Sequence, residues 1–231
     1  MKRICRTLVI FSLMAFLLLI TAPVASAQPA GPFYVGVFGG FVMPDDLEWG
    51  SGDDDDWYDD DDWSYDENLD ESWAAGFKVG YIIPQVNFMA VELEYTYLAE
   101  QDYGETHYYG GPDNLRHTYD GDFSAHNLMA NLLFRYPQGR IHPYGGFGLG
   151  LSRATIEENG TWEDDFGAYP EKIDEDDTAF AIQFIAGVNF EIMPNLSADL
   201  AYKYFYSEYD IAGWDVEARN HMVTMGVNIH F

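Results

Sequence analysis

The densest group of chemically capable side chains is Asp53-Asp54-Asp55-Asp56-Trp57-Tyr58-Asp59-Asp60-Asp61-Asp62-Trp63, two tetra-aspartate runs punctuated by aromatic residues. Hard cations such as calcium take several carboxylate oxygens, so Asp53, Asp54, Asp55, Asp56, Asp59, Asp60, Asp61 and Asp62 could hold Ca2+ or another divalent cation loosely. The spacing does not fit an EF-hand, because Trp57 and Trp63 stand where ligands or the turn glycine would be needed. A solvated, self-repelling loop is the plainer reading of such a run. Trp57, Trp63 and Tyr65 argue against pure solvation, since disordered acidic segments are poor in aromatics. They would suit a contact surface, and the charge would attract a cationic partner.

A second set of charges is sparse and embedded in apolar sequence: Lys78, Glu92, Glu94, Arg135, Asp199 and Lys203. Each sits within an alternating apolar/polar segment, on the face opposite the apolar residues. Trp73, Ala75, Phe77, Val79, Tyr81 and Ile83 share one face and Lys78 lies on the other. Met89, Val91, Leu93, Tyr95 and Tyr97 likewise oppose Glu92, Glu94 and Thr96, and Leu128 to Tyr136 in steps of two oppose Asn127, Asn131 and Arg135. Leu196, Ala198, Leu200, Tyr202, Tyr204 and Tyr206 oppose Asp199 and Lys203. Strands with one charge-free face and one charged face fit a closed barrel in lipid, with the charges in the interior. Counting out from the first short turn puts Lys78 nearly opposite residue 93, within reach of both glutamates. The expected result is an internal salt-bridge network filling a small barrel, in preference to a conducting pore.

The elements that must hold these charges follow from the rest of the chain. Of 39 Asp and Glu, all but five fall in four stretches, residues 44–71, 100–122, 156–176 and 207–218. Between them lie eight strand-length segments, near residues 32–43, 72–83, 88–99, 123–136, 142–155, 177–192, 196–207 and 219–231. Their connections alternate long and acidic with short and proline-bearing: 84–87, 137–141 and 193–195. Short turns at one end and long loops at the other are the layout of an eight-stranded antiparallel up-and-down transmembrane β-barrel, all-β, with long loops extracellular and short turns periplasmic. The last segment alternates strictly, with Val223, Met225, Val227, Ile229 and Phe231 on the lipid side and Met222, Thr224, Gly226, Asn228 and His230 opposite. It should close the ring against residues 32–43.

Residues 1–27 read as a cleaved signal peptide: Lys2, Arg3 and Arg6 precede the apolar run from Leu8 to Ile20, and Ala25-Ser26-Ala27 offers a cleavage site. The barrel domain is then 28–231, without Cys5, the single cysteine. The formal charge of −28 becomes about −31 on loss of those three cations, which excludes nucleic acid as a partner.

Phe33-Tyr34-Val35-Gly36-Val37, the glycine-rich Pro143-Tyr144-Gly145-Gly146-Phe147-Gly148-Leu149-Gly150, Ala186-Gly187-Val188-Asn189-Phe190 with Leu196 to Tyr204, and the terminal Phe231 together resemble the OmpA/OmpX-like family of eight-stranded barrels, the outer membrane protein beta-barrel domain. The resemblance spans nearly all of residues 28–231. It implies a bacterial outer-membrane location, contact with outer-membrane lipid and lipopolysaccharide, and Phe231 as the signal read by the barrel-assembly machinery. The peptidoglycan-binding domain that follows some members is missing. Fold of this kind does not specify activity. Some eight-stranded barrels modify lipid A using histidine, but His126, two residues after Ser124, shares parity with lipid-facing Leu128 and lacks an identifiable orienting residue. Gly146, Gly148 and Gly150 read as inward glycines that ease bending or leave room for neighbours. The expected function is non-enzymatic, structural or surface-interacting through the acidic segments, with no resident cofactor; a small passive channel is the alternative, and a lipid A-modifying enzyme the second.

Overall fold

A computed structural model describes residues 31–45, 47–51, 64–67, 69–108, 116–164, 167–211 and 214–231. Both the expected signal peptide, residues 1–27, and the aspartate runs Asp53 to Asp62 lie outside the described residues.

Among the described residues ten strands form one antiparallel sheet: β1 (Phe33–Pro44), β2 (Leu47–Ser51), β3 (Ser64–Glu67), β4 (Ser72–Ile82), β5 (Met89–Tyr108), β6 (Arg116–Arg135), β7 (Ile141–Asp164), β8 (Gly167–Met193), β9 (Leu196–Ile211) and β10 (Trp214–His230). β1 and β4 to β10 make the ring of eight, closed by β10 against β1 with Val37 opposite Val227. β2 and β3 are a hairpin that continues the ring upward, β2 pairing with β10 above the end of β1.

Parity follows the alternation. On β10, Met222, Thr224, Asn228 and His230 are buried while Val223, Val227 and Ile229 are exposed, because outward side chains are meant for hydrocarbon. Each short connection ends its strand for a local reason. Pro84–Val86 forms a single 3-10 turn after β4. Gly139, between β6 and β7, adopts φ +81°, a conformation that favours glycine.

Three of the long acidic segments, 100–122, 156–176 and 207–218, differ from the sequence expectation. They are not loops for most of their length: β5 runs on to Tyr108, β6 begins at Arg116, β7 and β8 pair from Asp164–Gly167 downward, and β9 and β10 pair from Ile211–Trp214. Spanning a bilayer takes about 9–11 tilted residues, so the 24 residues of β7 and 27 of β8 carry a hairpin well beyond it. The physical reason is that acids such as Asp102, Asp122, Glu157 and Asp174 sit on the outward face, where beyond the lipid only water is met, while Tyr103, Phe123, Ile156, Tyr209 and Val216 keep the alternation going inside. High acidity therefore marked the end of the membrane, not the end of the strand.

A second difference is a β-bulge. Leu98 pairs with Ala125 and Gln101 with Phe123, so β5 has one residue too many between them. Below it even-numbered residues face inward (Glu92, Glu94, Thr96, Leu98); above it Gln101 and Tyr103 do.

Candidate functional site

The interior is built in layers. At mid-height β4 and β5 are in register with Lys78 opposite Glu94, one residue away from the position expected by counting, because the 3-10 turn sets the hairpin length. Yet Lys78 does not bond Glu94. Its Nζ lies 3.0 Å from Asp199 Oδ1 on β9 and 3.6 Å from Glu92 Oε2. Glu94 is instead met by Lys203 Nζ at 2.6 Å, with Thr96 Oγ1 donating at 3.1 Å and the Phe38 ring 4.0 Å beneath the ammonium. All five of these charged side chains are at most 6% exposed.

Uncharged donors complete the cluster, which is what buried ions require. Tyr34 donates to Glu92 at 2.7 Å, Asn131 to the other Glu92 oxygen at 3.1 Å, and Tyr144 to Asp199 at 3.0 Å. Gln183 donates to Asn131 at 2.6 Å. Sequence reasoning did not pick out Tyr34, Tyr144, Asn131 and Gln183 as its partners. Their signal was inward parity combined with a polar tip, beside inward glycines: a Cβ at Gly80 would overlap the Tyr34 ring, and one at Gly148 would overlap Asn131.

Arg135, grouped with these charges in the sequence analysis, lines one cavity with Lys78, Glu92 and Asp199 but bonds none of them. Among the described residues its guanidinium forms no ion pair. The cavity, of about 40 Å³ toward the short-turn end, is also lined by Asn189, Asn228 and His230. Nearby, His142 places Nδ1 2.8 Å from the Tyr136 carbonyl and Nε2 2.7 Å from Glu191. On the other side of the ion cluster, Ser152 bonds Asn127 and Tyr209, and above them Phe123, Phe205, Tyr209, Tyr103, Tyr119 and Ile156 pack into an apolar plug.

The outer surface carries two further arrangements. A band of aromatic side chains includes Trp73, Tyr95 and Tyr97 around His126, whose Nδ1 lies 2.7 Å from Tyr95 OH, and Tyr202 and Tyr204 around His221. Such rings belong at the membrane–water interface. Ser124 lies opposite Thr155 of β7, and His126 opposite Arg153. Above the band, Asp102 on β5 faces Asp122 on β6, Asp122 faces Glu157 on β7, and Glu157 faces Asp174 on β8. This transverse row of carboxylates is interrupted by Lys172, 4.0 Å from Glu157 and 3.7 Å from Asp174. The Asp122 carboxyl is pushed up to about 6 by its hydrogen bond to Asp102, with partial burial and the neighbouring charges adding to it.

A closed antiparallel ring with an apolar outer belt, an aromatic band and a charged interior defines a transmembrane β-barrel of the bacterial outer membrane. The chain belongs to the family of outer membrane protein beta-barrel domains, which it matches over residues 12–231. No curated protein matches the chain significantly. Among solved structures it is similar to Neisserial surface protein A, at 19% identity and TM-score 0.47 over 86% of this chain and 97% of that one. It is also similar to Ail, the attachment invasion locus protein of Yersinia pestis, at 18% identity and TM-score 0.40 over 86% and 99%. The outer membrane protein OprG from Pseudomonas aeruginosa gives 14% identity and TM-score 0.43 over 89% and 99%.

Proposed function

We propose that this protein is a closed, non-enzymatic barrel that displays acidic hairpins at the cell surface, where they attract divalent cations, lipopolysaccharide bridged by those cations, or a cationic partner surface. The observation that carries this reading is the row Asp102, Asp122, Glu157 and Asp174, which places like charges in direct cross-strand contact on the outward face. Like charges opposite one another destabilise a ladder, so an arrangement kept across four strands is better suited to meeting positive charge than to holding the hairpins together. In sequence, the aspartates from Asp53 to Asp62 stand between β2 and β3 and add eight further negative charges. Lumen filling supports the same assignment, since a plugged interior moves function to the surface. With short turns facing the periplasm, as is usual for such barrels, the hairpins are extracellular. Phe231, exposed at the end of the closing strand, is the side chain this reading gives to the assembly machinery.

The experiment is deletion of residues 51–65, alone and combined with Asp122→Asn and Glu157→Gln, assayed for calcium binding and for attachment to cells and matrix with and without calcium. Loss of binding in a folded barrel supports the reading; binding equal to that of the intact protein overturns it.

A further inference from the structure

Among the described residues, the short-turn mouth holds hydrogen-bond donors that no group accepts. Ser197 on β9 is fully buried, and its Oγ receives Asn189 Nδ2 at 2.9 Å and Asn228 Nδ2 at 3.4 Å while lying 2.9 Å from His230 Nε2. Two incoming donors occupy the lone pairs of a serine oxygen, so its own proton goes to the one acceptor left, His230 Nε2. The neutral ring must then carry its proton on Nδ1. That atom is buried without a partner among the described residues, as is Asn228 Oδ1.

Arg135 of β6 supplies the second set of donors. Its half-buried side chain lines the same cavity as His230 and Asn228, and among the described residues it has neither ion pair nor hydrogen bond. The other cation lining the cavity, Lys78, is already matched by Glu92 and Asp199. Glu191 is engaged by His142 and does not line the cavity. Glu191 attracts the Arg135 guanidinium through space without coming within ion-pair distance, so its N–H groups stay open to a ligand in the cavity. Glycine at position 36 opens this end of the lumen, because a Cβ there would overlap Asn228 Oδ1.

We propose that the cavity binds one small monovalent anion of halide size, held by the Arg135 guanidinium and the His230 Nδ1–H. Size and charge both select for this class. The cavity of about 40 Å³ has room for roughly one such ion and a water, which Asn228 Oδ1 would hold. Glu92 and Asp199 line the same space and repel a divalent oxyanion twice as strongly as a monovalent ion, whose single charge Lys78 and Arg135 offset.

The test uses folded protein in detergent micelles, crystallised with bromide in place of chloride. An anomalous bromide peak in hydrogen-bond contact with Arg135 and His230, absent from Arg135→Gln crystals, is expected. A water without anomalous signal at that position, or a peak retained in Arg135→Gln as an adventitious ion only, overturns the proposal. In solution, unfolding temperature at constant ionic strength should rise saturably when chloride replaces gluconate. Arg135→Gln should abolish that rise and Arg135→Lys preserve part of it, with unheated-versus-boiled electrophoretic mobility confirming that each variant is folded. An equal chloride response in the intact protein and Arg135→Gln also overturns it.

Discussion

Lys203 on β9 and Glu94 on β5 stand on opposite walls of an eight-strand ring, yet their charged atoms meet at 2.6 Å, so a single ion pair crosses the whole lumen. Both side chains are nearly inaccessible to water, at 3% and 1% exposure, which makes the pair an all-or-none element of the interior. Breaking a buried pair by removing one partner leaves the other charge uncompensated and costs about 3–5 kcal/mol. Lys203→Met should therefore destabilise the barrel by an amount in that range in urea unfolding from detergent micelles. Lys203→Met combined with Glu94→Leu should recover most of the loss. A double variant no more stable than the single one would show that packing, and not the stranded charge, sets the cost.

The same filling predicts silence in planar bilayers. Phe123 and Phe205 are completely or almost completely buried above the ion cluster, and Tyr209 packs edge-on against Phe123 with ring centroids 6.1 Å apart. Folded protein should give no discrete conductance, and Lys78→Ala alone should not create one, because the apolar plug remains. Phe123→Ala with Phe205→Ala should admit small ions. Step-like currents from the unmodified protein would contradict a closed lumen.

Gly80 on β4 faces inward against the ring of Tyr34, and a methyl group there would overlap it. Tyr34 is the side chain that donates to Glu92, so displacing its ring also loosens a carboxylate paired with Lys78. Gly80→Ala should cost about 1–3 kcal/mol, the usual penalty for overpacking. Gly80→Ala combined with Tyr34→Phe should not be more stable than Gly80→Ala alone, since the ring remains and the donor is lost.

The hairpins beyond the membrane should respond to pH through Asp122. Its carboxyl is raised to about 6 by the hydrogen bond to Asp102 and then by partial burial and neighbouring acids. A carboxyl with a folded value above its ordinary one holds its proton better in the folded hairpin. The stabilisation is present below about pH 4, the ordinary carboxylate value, and is lost as pH rises through about 6. Amide exchange of the β5–β6 hairpin should accelerate over that window, and Asp102→Asn should bring the Asp122 titration, read by carboxyl NMR, back toward the ordinary range. Because Asp122 is largely solvated, the effect should be local to the hairpin and weaken in high salt.

Much of the barrel was legible from alternation alone. Val223, Val227 and Ile229 against Thr224, Asn228 and His230 already assign the two faces of the closing strand, since a period of two leaves no other arrangement and hydrocarbon tolerates no charge. Strand ends were less legible. Asp102, Asp122, Glu157 and Asp174 read as loop because acidity is a surface signal, and a strand outside the membrane has one face that obeys the same rule as a loop. The bulge after Leu98 escaped for a related reason: one extra residue shifts the alternation, and a broken pattern looks like its end.

The sequence by itself determined the ring of strands, which face meets lipid, and that Lys78, Glu92, Glu94, Asp199 and Lys203 turn inward, because these are consequences of order and parity along one chain. Only the tertiary structure decided who pairs with whom. Lys78 faces Glu94 in register but bonds Asp199 across the lumen, and Arg135 shares their parity and lines a cavity with Lys78, Glu92 and Asp199 yet pairs with none of them. Height in a barrel depends on strand tilt and stagger, and contact across the lumen on its diameter, neither of which is written in the spacing of residues along a strand.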